Sequence, residues 1–130
     1  MGSPSFSKKT LEQNGQQIYS YQSEDGDIGI DIVADTALIS DLRLKGRSVI
    51  CGPKSDEDIS SNPSFKSAYL TPFPNRLKGG SFEFEGKQYS FPINDNTFEN
   101  ALHGITINAP FKLVDAVSYT HLTLPTNREV

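Results

Sequence analysis

Ser81-Phe82-Glu83-Phe84-Glu85-Gly86-Lys87-Gln88-Tyr89-Ser90-Phe91 alternates aromatic and polar residues on either side of a Glu-Gly pair. Alternation with a period of two places successive side chains on opposite faces of a strand. Glu85-Gly86 is a two-residue turn, and glycine tolerates the positive φ that such a turn requires. The pattern therefore predicts a β-hairpin in which Phe82 faces Tyr89, with Phe84 and Phe91 on the same side. Cross-strand aromatic pairs contribute roughly 0.2–1 kcal/mol over alanine pairs. A lone hairpin is marginal in water, so one face of this one is expected to pack on a broad sheet.

Outward from the hairpin, period-two patterns continue. Ile28, Ile30 and Ile32 alternate with Asp27, Gly29, Asp31 and Val33, which suits a strand with one face on a core. Leu38, Leu42 and Leu44 share one parity, and Lys45-Gly46 ends that run. Gln16 to Gln22 reads as a weaker strand, and Val49-Ile50-Cys51 as a short one with Cys51 at its buried end. Pro53 to Ser64 reads as a loop, with Asp56-Glu57-Asp58 solvated within it. No sustained helical period appears before Pro110. Eight prolines and ten glycines spread among short strands place the chain in the all-β class, as a sandwich.

The chain of 130 residues is long enough for one domain at most. With 22% charged and 10% aromatic residues it has the composition of a globular chain rather than a disordered one. A formal charge of −4 and the lack of a Lys/Arg cluster argue against nucleic acid or an anionic membrane surface as partner. Cys51 is the single cysteine, so no internal disulfide can form, and a reducing compartment follows more easily. No apolar run is long enough for a membrane span and Met1 to Phe6 lacks a signal-peptide core, so the expected location is cytoplasmic.

Three residues flanking the hairpin could carry chemistry. Arg76, in Pro72-Phe73-Pro74-Asn75-Arg76, offers five donors in a rigid fork that suits adjacent hydroxyls or a carboxylate. Asn75 adds a donor and an acceptor. His103, in Asn100-Ala101-Leu102-His103-Gly104, could donate to a ligand oxygen or move a proton near neutral pH. The plain alternatives are a turn asparagine beside a surface arginine, and a loop histidine satisfied by a backbone carbonyl. Phe73, Phe82, Phe84, Tyr89 and Phe91 could stack on a sugar ring, although core packing is the better default for most of them. Nothing resembles a phosphate-binding glycine loop, a zinc ligand set or a nucleophile elbow.

Three blocks in order resemble the N-terminal part of the aldose 1-epimerase (galactose mutarotase) family. They are Thr71-Pro72-Phe73-Pro74-Asn75-Arg76-Leu77-Lys78-Gly79-Gly80, then Phe82 to Tyr89, then Asn94 with Asn100-Ala101-Leu102-His103-Gly104. The resemblance implies part of a large β-sandwich that interconverts the anomers of aldohexoses without metal or organic cofactor. It implies that Asn75, Arg76 and His103 bind the sugar. It also implies that the catalytic acid and base, a second histidine and a glutamate, lie further along than this chain reaches. Two other readings stay open: a non-catalytic carbohydrate-binding sandwich, and an epimerase of hexose phosphates using Lys78 or Lys87 as the extra cation.

The family pattern stops near Ala116. Residues 117 to 130, Val117 to Val130, resemble translated sequencing-adapter read-through, so the expected organisation is 1–116 as part of the epimerase domain and 117–130 as a non-native tail. His121 falls in that tail, too close to His103 for the family spacing, and is given no role. A partial sandwich would leave strand edges unpaired and an apolar face uncovered, which predicts poor solubility.

Overall fold

The computed structural model describes residues 5–107 and 109–116; the expected tail at 117–130, with His121, lies outside the described residues. The architecture is nearly all β. A five-stranded antiparallel meander contains β1 (Phe6–Gln13), β2 (Gln16–Ser23), β3 (Ile28–Val33), β4 (Ile39–Leu44) and β5 (Arg47–Ser48), in that spatial order. After a short helix, α1 (Asp56–Ser60), come β6 (Arg76–Lys78), β7 (Ser81–Phe84), β8 (Lys87–Ser90) and β9 (Asn100–Leu102). β7 pairs with β8 and β6 with β9, both antiparallel.

The aromatic hairpin forms in the expected register, with Phe82 opposite Tyr89 and their rings stacked at 5.3 Å. Glu85 and Gly86 both take positive φ, 49° and 75°, as the tight turn requires. Phe91 extends the cluster, 5.0 Å edge-to-face from Phe73 and 6.3 Å from Phe82. The expected covering sheet is absent among the described residues: all eight residues of β7 and β8 are exposed.

The core lies elsewhere, and it decides which face of β3 is covered. Val33 is fully buried and Gly29, on the same face, is buried against the Arg43 guanidinium, whereas Ile28 is exposed and Ile30 and Ile32 are half-buried. The face opposite the isoleucines is therefore the one that is covered. Val33 packs with Ile18, Leu38 and Ile59, and Ala68 leans against the cluster. Burying each of these large side chains contributes roughly 1.5–3 kcal/mol.

Ile59 comes from α1, inside the stretch expected to be loop. Ser55 caps this helix by accepting a hydrogen bond from the Asp58 N–H at 3.0 Å. Asp56, Glu57 and Asp58 occupy the first turn, where negative charge complements the exposed N–H groups. The acidic run is thus the start of a helix whose next residue plugs the core. Two more expectations fail nearby. β5 is Arg47–Ser48 rather than Val49–Cys51, and Cys51 is exposed. β1 carried no assignment from the sequence, yet it pairs with β2 along its whole length.

On the Val33 face of β3 and β4, where Asp31 lies two residues along β3 from Val33, Arg43 is clamped by two carboxylates. Its Nη1 lies 2.7 Å from Asp31 Oδ2 and 2.8 Å from Asp41 Oδ2, and Nη2 lies 3.1 Å from Asp31 Oδ1. Burial alone would raise the Asp31 carboxyl, but Arg43 and the Ser20 hydroxyl outweigh it and hold it below the ordinary 3.8. Burial opposes ionisation of Asp41 likewise, and there Ser48 and Arg43 prevail. Asp31 first and Asp41 second push Arg43 up.

Because both carboxyls sit below their unfolded value of 3.8, their stabilisation is complete above that pH and is lost as pH falls through the folded values. Thermal melts followed by circular dichroism should show a midpoint that drops below about pH 4. Arg43→Met should lower the stability at neutral pH by about 1 kcal/mol, solvent screening included, and flatten that acid drop. An acid profile of the same steepness in the variant would refute the assignment. Among the described residues, no helix is long and apolar enough to cross a membrane.

Candidate functional site

Pairing of β6 with β9 sets Arg76 opposite Leu102, which leaves Asn75 and His103 as the next pair outward. The chain joins them twice. The His103 N–H donates to the Asn75 carbonyl at 2.9 Å, and the Asn75 N–H donates to His103 Nδ1 at 2.8 Å, across 28 residues of sequence. Both residues take positive φ, 68° at Asn75 and 61° at His103. Asparagine and histidine are among the non-glycine residues that most readily occupy this region.

These bonds define what the imidazole can offer. With Nδ1 accepting from a backbone N–H, the ring proton is assigned to Nε2, and that N–H is the donor left to a ligand. The ring is held edge-on to Phe65, with centroids 4.6 Å apart. Phe65 itself sits in a tight turn closed by its N–H to the Asn62 carbonyl at 3.0 Å.

Asn75 Oδ1 accepts from the Arg76 N–H at 3.0 Å, so its amide nitrogen is the part left for a ligand. Arg76 Nε donates to Asp95 Oδ2 at 2.7 Å, and the guanidinium lies 5.8 Å from the centre of the Phe98 ring. The backbone beneath is stitched by neighbouring segments. The Ile105 N–H donates to the Thr71 carbonyl at 2.8 Å, and Thr106 Oγ1 donates to the Tyr69 carbonyl at 2.6 Å while accepting from the Thr71 N–H.

The three residues picked out from the sequence thus converge on one edge. Their outward groups are donors: an imidazole N–H, a side-chain amide and a guanidinium. Such a set recognises hydroxyl or carboxylate oxygens. Sequence reasoning missed Asp95, Phe98 and Phe65. Asp95 had a faint signal, an acid in the polar stretch Asn94 to Asn100, but nothing marked its partner.

Of the aromatic residues considered for sugar stacking, Phe73 and Phe91 pack on each other while Phe82, Phe84 and Tyr89 stand exposed on the hairpin. Lys78 lies two residues along β6 from Arg76, hence on the same face, and Lys87 lies at the hairpin turn opposite Phe84. A separate groove of about 360 Å³ runs between Tyr19, Tyr21 and Ile32 on the meander and the segment at Phe111 to Asp115. None of Asn75, Arg76 or His103 lines it.

The chain as a whole is similar to several known proteins. A model of the family described as aldose 1-epimerase matches residues 21–129. The galactose mutarotase of Rattus norvegicus is 27% identical over 99 residues, spanning 72% of this chain and 28% of that protein. The bifunctional protein gal10 of Schizosaccharomyces pombe is 34% identical over 80 residues, 60% of this chain and 11% of its own length. The uncharacterized protein YihR of Escherichia coli K12 is 29% identical over 80 residues, 62% of this chain and 25% of its own.

Among solved structures, a galactose mutarotase-like protein from Clostridium acetobutylicum superposes with a TM-score of 0.63 at 25% identity. A galactose 1-epimerase from Lactobacillus acidophilus does so with 0.59 at 21% identity. Each covers 82% of this chain, which spans 32% of either structure. The chain spans between about a tenth and about three tenths of the length of the curated relatives it matches.

Proposed function

The chain belongs to the aldose 1-epimerase family, and on that premise we propose that it forms the sugar-gripping part of an enzyme that interconverts the α and β anomers of aldohexoses such as galactose or glucose. The observation that carries this reading is the reciprocal pairing of Asn75 and His103 beside Arg76, which gathers three donor groups at one edge.

The reaction explains the division of labour. A base takes the proton from the C1 hydroxyl while an acid protonates the ring oxygen; the ring opens, C1 rotates, and the ring closes on the other face. Asn75, Arg76 and the Nε2–H of His103 hold the sugar's oxygens in this scheme. The acid and base come from the further residues that the family resemblance implies. No metal enters the scheme.

Because these residues present donors and no acid–base pair, a carbohydrate-binding role without catalysis is the second reading. The complete open reading frame separates the two: a downstream histidine and glutamate favour the enzyme, and their replacement favours the binder.

Sugar binding is tested by calorimetric titration of galactose and glucose into the full-length parent. Arg76→Ala removes a charge-assisted donor pair, so affinity should fall about tenfold or more. Unchanged affinity in that variant would count against the pocket.

A further inference from the structure

The loop between β8 and β9 is fastened more firmly than a connection needs. The Asp95 N–H donates to the Asn100 carbonyl and the Asn100 N–H to the Asp95 carbonyl, at 3.1 and 3.2 Å. Asn94 brackets Leu102 from outside: its amide nitrogen donates to the Leu102 carbonyl at 2.8 Å, and its oxygen accepts from the Leu102 N–H at 2.6 Å. Leu102 in turn is the strand partner of Arg76. Asp95 is therefore held from two directions against the strand that carries the arginine.

Its side chain is only 10% exposed, whereas that of Arg76 is 49% exposed. The carboxylate engages Nε alone, and among the described residues Nη1 and Nη2 have no hydrogen-bond partner. A guanidinium fixed through Nε keeps its Nη1–Nη2 edge as a planar two-pronged donor.

We infer that Asp95 is a positioning residue. It orients Arg76 so that the terminal edge of the guanidinium meets two adjacent hydroxyls of the ligand, which makes a vicinal diol the feature this edge selects. The inference rests on the sugar-site reading above. Without the carboxylate, the long arginine side chain regains rotameric freedom, and binding must freeze it again.

Nuclear magnetic resonance on the 130-residue chain tests both levels. The Arg76 Nε–H resonance, assigned by its loss in Arg76→Lys, should be visible and slow to exchange, and it should vanish in Asp95→Asn. Galactose titrated into the chain should shift the amides around His103. Asp95→Asn should weaken that binding about fivefold while the rest of the amide spectrum stays in place, and Asp95→Glu should restore much of it.

If the unmodified chain shows no galactose-induced shifts, the sugar-site reading falls and takes this inference with it. If it binds galactose and Asp95→Asn binds equally well, only the positioning role is overturned. Should Asp95→Asn unfold, the Nε–H of the unmodified chain decides, and fast exchange there overturns the ion pair.

Discussion

Gly104→Ala should destabilise the chain by about 3 kcal/mol or more, whereas Gly79→Ala should cost only about 1 kcal/mol. Both glycines hold a left-handed backbone, with φ of 69° at Gly104 and 62° at Gly79. The backbone penalty is therefore shared, and it is about 1–2 kcal/mol for a residue bearing a Cβ. Space separates the two positions. A Cβ at Gly79 meets nothing within 4 Å, while one at Gly104 runs into the Thr71 carbonyl and stands 2.7 Å from the Pro72 nitrogen.

That obstacle is backbone, so it cannot swing aside as a long side chain would. Thr71 is also held by the Ile105 N–H and the Thr106 hydroxyl. Relief must come from parting the two segments that present Asn75 and His103. Urea unfolding of both variants checks the contrast, and the His103 Nδ1 acceptor bond should be lost in Gly104→Ala. Equal costs at the two positions would show that the close approach to Thr71 does not matter. Stability of a small domain is about 5–15 kcal/mol in total, so the larger loss is a sizeable share.

How much of this was legible beforehand depends on whether the deciding contact was local. The hairpin was readable because turn and alternation lie within the same eleven residues, and its register follows from Glu85-Gly86. β3 was readable as a strand but not as a face. Period two says that Ile30 and Val33 point opposite ways; it does not say which side is covered. That was settled by α1 and the segment at Ala68, which reach the Val33 side from far along the chain.

α1 is too short to produce a period, and its evidence was the cap: Ser55 three residues before Asp58, opening an acidic turn. Asn75, Arg76 and His103 could be named from the blocks they sit in, but their adjacency is created by pairing of β6 with β9. The Arg76–Asp95 contact was hidden for the same reason, since its partners are 19 residues apart and the polar loop offers other carboxylates and amides of equal claim.

Purified as it stands, the 130-residue chain should not speed anomer interconversion above the buffer rate. Ring opening needs two proton transfers at different atoms, one from the C1 hydroxyl and one to the ring oxygen. Each positioned acid or base contributes typically 10²–10⁴-fold, so an edge without such a pair forgoes most of the acceleration. Among the described residues the only histidine is His103, and its Nδ1 is occupied by the Asn75 N–H. The Arg76 guanidinium offers donors and no acceptor for the C1 proton. Asp95 has its carboxylate turned to Arg76. The donors that remain can hold a sugar and stabilise charge on its oxygens, yet none is arranged to take the C1 proton. Polarimetry of freshly dissolved α-galactose, with and without the chain, decides it: a faster approach to the equilibrium rotation, proportional to protein concentration, would mean that this edge contains an acid–base pair after all. The same assay on the full-length parent should show acceleration, and Arg76→Ala in that background should raise KM, as expected of a group that grips the sugar rather than moves its protons.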